Sequence, residues 1–530
     1  MNFTECKKNK CNILLLLSLF LLTIGTRLPF TSKLLYHMDS VHFALALEKY
    51  DITVHQPHPP GYFLYVMLGR LLNFFIKDAN STFILISIVF SGLAVTAVYS
   101  LGKEIYDVKT GFIAAAIAIT SPNFWFHGEV ALTYIVEAFF STLIAFSCWK
   151  VLTGKHKYIW LSVIALGIAG GIRQNTMVFL FPLWLFSMKG VPLRKIVTSI
   201  ALLGFVCLLW FVPMLWMTGG WNAYREALGE LWLFNTGHVS VFEKGWTTFK
   251  IFSSSLFNFT IYGIGAGALI LGLAAYSLIR HGIFKSLDKT KVFFFSLWVL
   301  PSVFFYLTIF IHPANPGYVL IFLPALFILI AASLSYMSAE LKQVVKKDIS
   351  ALMAAVIIIF NAGVFFLSGY PVTYREIRTH DRNLSIMLQG IKTFDPAKTA
   401  IFVGPYIFYG YRQIMYYLPG YRVYQVDTRV APTGEARKTF WGMNRETFLA
   451  DEIDLPESVN NFVVPLISDD KDRAAGKEGV NIENLQHTNI YLAFGDIELI
   501  KHLYPELRVH IHGTIESDLN RLLLQNDQQV

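Results

Sequence analysis

Charged residues are scarce in this sequence. Only 15% of the 530 residues are Asp, Glu, Lys or Arg, whereas 54% are hydrophobic and 45 are phenylalanine. This composition excludes an ordinary soluble enzyme, because such a chain has too little polar surface to cover its apolar side chains in water. It predicts an integral membrane protein.

Cysteine motifs and clustered basic residues are also lacking. The four cysteines, Cys6, Cys11, Cys148 and Cys207, show no CxxC spacing, which argues against a disulfide framework and against a structural zinc site. The net charge of +8 comes from Lys and Arg residues scattered singly at the ends of apolar segments. This pattern excludes nucleic acid as a partner and is typical of membrane topology signals.

Eleven apolar segments are predicted to span the membrane. The first follows three lysines, as a signal peptide does, but no small-x-small cleavage site follows it, so we expect it to remain as a helix. The predicted spans lie near 12–30, 82–101, 111–127, 130–149, 158–172, 174–188, 196–217, 252–279, 292–311, 316–338 and 350–369.

The apolar segment 61–77 is not counted among these spans. It has only about 16 apolar residues with Arg70 in its middle, whereas a span needs about 20, and arginine at mid-bilayer costs about 2.5 to 3.5 kcal/mol. Leaving it out places the lysine-rich loops on the cytoplasmic side, as the positive-inside rule requires. Residues 31–81 then form one long extracytoplasmic loop, with amphipathic helices at 39–50 and 61–77 lying on the membrane surface.

The same topology places the tail outside. In residues 370–530, short apolar runs at 399–404, 421–426, 460–467 and 489–494 alternate with helix-like stretches such as 496–504. This alternation predicts a C-terminal extracytoplasmic α/β domain that follows a transmembrane catalytic domain of residues 1–369.

Polar side chains converge on the predicted outer face, at the ends of several helices. Carboxylates, histidines and an arginine in such positions are the groups needed to break a sugar–phosphate bond, because one must accept a hydroxyl proton and others must hydrogen-bond the leaving phosphate. The gathered residues are Asp39, His42, His55, Gln56, His58, His127, Glu129, Arg173, Gln174, Asn175, His312 and Asn315.

Four stretches of the sequence together resemble the GT-C glycosyltransferases, and within them the protein O-mannosyltransferase-like and aminoarabinose-transferase-like groups. They are the acidic Asp39 shortly after the first span, HPPGY at 58–62, GEVALTYIVEAFF at 128–140 and GIAGGIRQNTMVFLFPLWL at 167–185. The resemblance is strongest in the amino-terminal half and extends more loosely to NPGYVLIFLPAL at 315–326.

The resemblance implies a sugar donor linked to polyprenyl or dolichyl phosphate, with transfer on the outer or lumenal side of a membrane, here the bacterial inner membrane. It implies that Asp39 is the catalytic base and that residues 58–60 lie near the carrier phosphate. Two departures are the histidine at position 58, where the related motif has lysine, and Ser40, where the mannosyltransferases have a second acid. The acceptor stays open between protein, lipid and glycan.

The candidate site residues fall into two groups. We predict Asp39 and Glu129 as catalytic, and we propose that His58, helped by Arg173, hydrogen-bonds the carrier phosphate in the headgroup layer. The predicted substrate-binding residues are His55, His58, Tyr62, Arg173, Gln174, His312 and Asn315.

Each assignment has a structural alternative. Asp39 is also a favoured type of N-cap for the helix that follows it, and Glu129 would serve equally as a solvated interfacial charge. Arg173 could mark the tip of a helical hairpin, and His55 and His58 could be turn residues between the prolines.

Cofactor and function class stay partly open. Asp39, Glu129 and a histidine could serve as ligands of a divalent metal, but their spacing does not require one. A transporter or flippase of a lipid-linked sugar is the alternative function, although the two halves show no repeated hydropathy pattern. A structural subunit of a glycosylation complex is a third possibility, which predicts that the acids tolerate replacement.

Overall fold

The computed structural model describes residues 3–233, 235–236, 239–282, 287–369, 371–403, 408–426, 447–448, 458, 461–465 and 490–493. Contacts between residues divide the chain into two units. One comprises residues 1–32 and 59–377, and the other comprises residues 33–58 and 378–530. The predicted domain boundary between 369 and 370 stays a prediction.

The described residues are mostly helical. In chain order, the helices are α1 (Phe3–Arg27), α2 (Met38–Glu48), α3 (Phe63–Ile76), α4 (Ala79–Ile105), α5 (Val108–Thr120), α6 (Pro122–His127), α7 (Tyr134–Leu152), α8 (Ile159–Ile172), α9 (Gln174–Ser187), α10 (Leu193–Thr218), α11 (Trp221–Leu233), α12 (Val241–Lys244), α13 (Trp246–Ile264), α14 (Gly267–Arg280), α15 (Lys289–Thr308), α16 (Leu323–Val345), α17 (Ser350–Leu367), α18 (Tyr374–Ile391) and α19 (Tyr411–Tyr417).

Three of the apolar helices have an aspartate as their N-cap residue. Asp78 accepts from Ser81 N at 2.7 Å before α4, Asp107 accepts from Thr110 N at 2.7 Å before α5, and Asp288 accepts from Thr290 N at 2.8 Å before α15. Each carboxylate satisfies an amide that the helix cannot pair internally. The polar residue therefore fixes where each helix begins.

Among the residues that the structure describes, seven helices are long and apolar enough to cross a membrane: α1, α4, α7, α10, α15, α16 and α17. Most of α4 and α7 is buried in the protein, whereas most of α10 is exposed, as expected for a helix that faces lipid. Each of the eleven predicted segments contains a helix, but α5, α8 and α9 are shorter than a full span. The fold is that of an integral membrane protein, and the predicted count of eleven spans is not confirmed.

The predicted span at 252–279 is not one straight helix. The chain breaks between α13 and α14, and the two helices meet at an angle of 101°. Gly265 lies at the break with φ of +53°, and a Cβ there would be 1.9 Å from the Asn361 side-chain oxygen. Glycine permits both the left-handed backbone and this close approach. The predicted span at 252–279 therefore consists of two helices, and its crossing of the membrane stays a prediction.

The helix α3 has the length predicted for a surface helix. Its 14 residues extend about 21 Å, which is shorter than a hydrocarbon core of about 30 Å. Leu71, Phe74 and Phe75 are exposed, whereas Tyr65 and Val66 are fully buried against the protein. The helix thus has one face packed on the protein and another apolar face left for lipid.

A parallel sheet forms the centre of the second unit. Its five strands have the order β3-β2-β1-β4-β5. Four of them lie within the predicted apolar runs, and the predicted helix at 496–504 lies outside the described residues. The strands are β1 (Thr399–Val403), β2 (Arg422–Val426), β3 (Thr447–Phe448), β4 (Asn461–Pro465) and β5 (Ile490–Ala493).

Residues 33–58 are held by the tail of the chain, within the same unit. The buried Asp381 carboxylate accepts from the amides of Lys33 at 3.0 Å and Leu34 at 3.1 Å. Tyr417 accepts from Leu35 N at 2.8 Å, and the buried Arg412 donates to the Val54 carbonyl at 2.6 Å. The loop that carries Asp39 is therefore fixed at both ends by residues more than 340 positions later.

Candidate active site

Asp39 lies in the first turn of α2. The N-cap of this helix is His37, whose Nδ1 accepts from Asp39 N at 3.0 Å, and Ser40 Oγ accepts in return from His37 N at 3.4 Å. The alternative that Asp39 itself is the N-cap is therefore wrong. A carboxylate in the first turn is still favoured by the helix dipole.

The Asp39 carboxylate lies between two imidazoles. Its Oδ2 is 3.6 Å from His37 Nδ1, and its Oδ1 is 3.6 Å from His58 Nδ1. Because His37 Nδ1 accepts a backbone hydrogen bond, its proton is on Nε2 when the ring is neutral. The Asp39 side chain is 19% exposed, so the carboxylate is accessible to a substrate.

A tight turn at residues 51–56 places His55 and leads into the PHPP stretch, residues 57–60, which carries His58. Asp51 and Gln56 exchange two backbone hydrogen bonds of 2.6 and 2.9 Å, and Asp51 also accepts from Thr53. His55 at the end of this turn has a left-handed backbone with φ of +57°. The Gln56–Pro57 and Pro59–Pro60 bonds are both cis. His55 thus serves as a turn residue, as the structural alternative predicts.

The rings of His42, His55 and His58 lie close to one another near Asp39. The centroid of the His42 ring is 5.7 Å from that of His55 and 5.6 Å from that of His58. Burial, with the charge of Arg412 and the neighbouring imidazoles, lowers the pKa of His42 well below its usual value. Burial and the same neighbours lower the pKa of His55 to about 3. Both rings are therefore neutral near pH 7.

These residues define the loop cluster: His37, Asp39, His42, His55, His58 and Arg412. All of them belong to the second unit. The sequence predictions named Asp39, His42, His55 and His58 but missed His37 and Arg412. His37 lies two positions before Asp39, but histidine is not a favoured N-cap residue, and Arg412 carries no local signal.

Arg173 is buried in the first unit, between helices α8 and α9. Its guanidinium lies over the Tyr134 ring at 4.3 Å, and its Nε is 3.7 Å from the Glu137 carboxylate. Thr176 donates to the other oxygen of Glu137 at 2.8 Å. Arg173 is therefore matched by a buried acid and by aromatic faces, which a hairpin tip in solvent would not be.

Tyr134 connects Arg173 with another predicted residue. Asn315 Nδ2 donates to the Tyr134 hydroxyl at 2.8 Å, and Asn315 Oδ1 accepts from Gly317 N at 3.2 Å. The ring of His127 packs on that of Tyr134 at 5.4 Å. We call Tyr134, Glu137, Arg173, Thr176 and Asn315 the Tyr134 cluster. Tyr134 itself was missed, since a tyrosine at the start of an apolar helix is ordinarily an interfacial residue.

The remaining predicted substrate residues lie at the edges of these elements. Gln174 donates to the Pro60 carbonyl at 3.2 Å and pairs with Tyr224 at 3.4 Å. Tyr62 precedes α3 with φ of +44° and is buried. His312 is half-buried, and its Nδ1 accepts from Ala314 N at 3.2 Å, which is a local turn contact.

Glu129 is completely buried. Trp125 Nε1 donates to its Oε1 at 2.6 Å, and Arg27 lies over the Trp125 ring at 4.6 Å. Arg27 is also buried and donates to the Ile119 carbonyl at 2.7 Å. The alternative of a solvated interfacial charge is therefore wrong, because the carboxylate has no exposure to water. Its predicted catalytic role stays a prediction.

Comparison with solved structures defines the class of fold. The ArnT of Cupriavidus metallidurans in the apo state is similar over 79% of this chain and 86% of its own, with a TM-score of 0.50 and 12% identity. A second structure of that ArnT, bound to undecaprenyl phosphate, covers 80% and 86% with a TM-score of 0.48 and 11% identity. The Archaeoglobus fulgidus oligosaccharyltransferase in complex with Zn and sulfate covers 77% and 61%, with a TM-score of 0.43 and 13% identity.

The similarity to the apo ArnT shows that this chain shares its fold, as the resemblance to the aminoarabinose-transferase-like group predicted. Residues 48–191 match the family model of the protein O-mannosyl-transferase TMEM260 N-terminal domain. This match covers α3 to α9, including the PHPP stretch, Glu129, the Tyr134 cluster up to Thr176, and the α8–α9 junction. None of the curated protein sequences compared with this chain matches it.

Proposed function

We propose that this protein transfers a sugar from a polyprenyl-phosphate carrier to an acceptor hydroxyl on the extracytoplasmic side of a membrane, the inner membrane of a bacterium. The Asp39 carboxylate takes the proton of the acceptor hydroxyl. The acceptor oxygen forms a bond with the anomeric carbon, and the bond from that carbon to the phosphate oxygen breaks, so that the electron pair leaves with the carrier phosphate.

The environment of Asp39 is the observation that carries this proposal. Its side chain is partly exposed, both oxygens face imidazole nitrogens at 3.6 Å, and the loop around it is fixed by Asp381, Tyr417 and Arg412. A general base must combine access to its substrate with a fixed position. Asp39 has both properties.

The comparisons support a lipid-linked donor. The matched family model is described as a protein O-mannosyl-transferase, and the Cupriavidus ArnT is described as bound to undecaprenyl phosphate. The helix α3 begins five residues after His58 and exposes Leu71, Phe74 and Phe75, which suits a carrier whose phosphate lies at headgroup depth. We propose that His58 donates to this phosphate through Nε2, since its Nδ1 faces Asp39.

We propose that Arg173 also binds the carrier phosphate. The groups around Arg173 limit how it can do so. Glu137 already offsets the charge of the guanidinium, so a carrier phosphate would compete with this carboxylate or share the arginine with it. Tyr62, Gln174, Asn315 and His312 keep their proposed places around the substrate, where they would orient the sugar and not take its proton.

The test is turnover with Asp39 replaced. Purified protein in detergent would be incubated with a panel of polyprenyl-phosphate sugars, and free carrier phosphate would be measured. Asp39→Asn should lower turnover by about 10² to 10⁴, because the amide has the same shape but cannot accept the proton. Asp51→Asn is the matched control, since Asp51 is in the same loop and equally exposed at 20%, and its amide oxygen can still cap Thr53.

Near-normal turnover in Asp39→Asn would contradict the assignment of the base. Loss of turnover in both variants would instead mean that the loop tolerates no change of charge.

The bend between α13 and α14 favours the alternative of a transporter of a lipid-linked sugar. Transporters often place their substrate at a helix broken within the membrane. The two functions differ in one measurable product, because a transporter moves the sugar with its carrier and leaves the sugar–phosphate bond intact. Release of free carrier phosphate in the same assay separates them.

A further inference from the structure

Three side chains of the loop cluster have the composition of a metal site. Asp39, His42 and His58 each present one ligand atom, and these atoms all lie within 4.8 Å of one another. Asp39 and His42 are three residues apart on α2, so they lie on the same face of the helix, while His58 comes from the PHPP stretch. A helix and a rigid turn thus bring the three donors together.

His42 gives an independent indication of a missing ligand. Its side chain is 1% exposed, and its Nδ1 has no hydrogen-bond partner among the described residues. Buried ring nitrogens are ordinarily satisfied by protein groups or water, so each exception calls for an explanation. A metal ion would supply the partner, because a neutral imidazole nitrogen offers it a lone pair.

The spacing fits tetrahedral coordination. Ligand atoms bound at about 2.0 to 2.2 Å from Zn²⁺ in a tetrahedron lie about 3.4 Å apart. His58 Nδ1 and Asp39 Oδ1 are 3.6 Å apart, which is close to one edge of that tetrahedron. Because all three ligand atoms lie within 4.8 Å of one another, at most a small movement of the His42 side chain completes that spacing.

The donor set selects the class of metal. Two imidazoles and one carboxylate suit zinc and similar transition metals, whereas magnesium and calcium prefer an all-oxygen environment. Three protein ligands also leave a fourth position for water or for an oxygen of another molecule, as in catalytic zinc sites.

We propose that Asp39, His42 and His58 bind one divalent transition-metal ion of the zinc class, through Asp39 Oδ1, with one coordination position open. Coordination through His58 Nδ1 fixes the proton of that ring on Nε2, and Asp39 accepts the proton of the acceptor hydroxyl through its other oxygen, Oδ2. The open position would take an oxygen of the carrier phosphate. This last step rests on the proposed transferase function, whereas metal binding does not.

Metal content measured without donor or acceptor tests the site. The full-length protein in detergent would be stripped with a chelator, dialysed against Zn²⁺ and analysed by mass spectrometry of the bound metal. Wild type should retain about one zinc ion per chain, and His42→Gln should lose it at least tenfold. His281→Gln is the control, because His281 is an exposed histidine of the other unit. Co²⁺ substituted for zinc should give the visible absorption of a tetrahedral site in wild type and not in His42→Gln.

Each result decides the proposal. If His42→Gln does not fold, Asp39→Asn, at a partly exposed position, gives the same test of metal content. A wild-type protein that retains no zinc, or equal zinc in wild type and in the His42 and Asp39 variants, would overturn the metal site. Because metal content is measured without turnover, that outcome leaves the proposed transferase function standing, and loss of the transferase function leaves the metal site standing.

Discussion

The buried pair of Arg173 and Glu137 gives a prediction whose size follows from the geometry. The two charged groups are 3.7 Å apart, and the side chains are 5% and 0% exposed. At an effective dielectric constant of about 20, two unit charges at that distance attract by about 4.5 kcal/mol. Because both ions are already removed from water, much of this attraction only offsets desolvation while the pair is intact.

Replacing one member of the pair removes the attraction but leaves the other charged group buried away from water. We expect Arg173→Met to lower the free energy of unfolding by about 3 to 5 kcal/mol, because Glu137 is then buried without its partner. Glu137→Gln should be similarly costly. The double variant should cost no more than the worse single change, which corresponds to a coupling of at least about 3 kcal/mol.

The assay is equilibrium unfolding in mixed micelles with increasing SDS, followed by tryptophan fluorescence, without substrate. Arg280→Met is the control, since Arg280 is exposed at the end of α14 and should change stability by less than about 0.5 kcal/mol. Single variants that each cost less than about 1 kcal/mol, with an additive double variant, would refute the reasoning. Arg173 would then be available to a phosphate at little structural cost.

Two further predictions concern the loop and the topology. Asp381→Ala should cost about 1 to 3 kcal/mol and speed hydrogen exchange at Lys33 and Leu34, whose amides lose their acceptor. The control is Asp395→Ala, at an exposed position whose carboxylate accepts from Ala397 N, and it should leave exchange at Lys33 and Leu34 unchanged. Unchanged exchange in Asp381→Ala would mean that Asp381 does not hold the loop. In a cysteine-free background, Asp78→Cys should react with an impermeant thiol reagent from outside and Lys189→Cys only after permeabilisation. The reverse result would overturn the predicted topology.

The local features of the molecule were predictable from the sequence. Amphipathic patterning gave α2 and α3 to within a few residues, and apolar runs in the tail gave four of the five described strands. Both signals depend on neighbours along the chain, which a periodicity records directly. Asp39 and the histidines of residues 55–58 were singled out for the same reason, because polar residues stand out between apolar segments.

The features that were missed depend on contacts between distant residues. Arg27, which lies over the Trp125 ring beside Glu129, is about 100 positions before that glutamate, and the groups that hold the first loop are Asp381 and Arg412. No periodicity links positions separated by about 100 to 360 residues. The bend at Gly265 was missed because the close approach that requires a glycine there is made by Asn361, which is nearly 100 residues later.

The hydrogen bonds from Lys33 and Leu34 to Asp381 restrict how many helices can cross the membrane between these residues. Residues 33–58 and the chain from Arg378 onward belong to one unit, so they lie on the same side of the membrane, and an even number of crossings must separate them. If only the six long helices that follow α1 cross, the number of crossings is even. Counting the bent α13–α14 pair as one more crossing makes seven, which is odd. If that pair crosses, an odd number of α5, α8 and α9 must cross with it, and all three crossing gives ten.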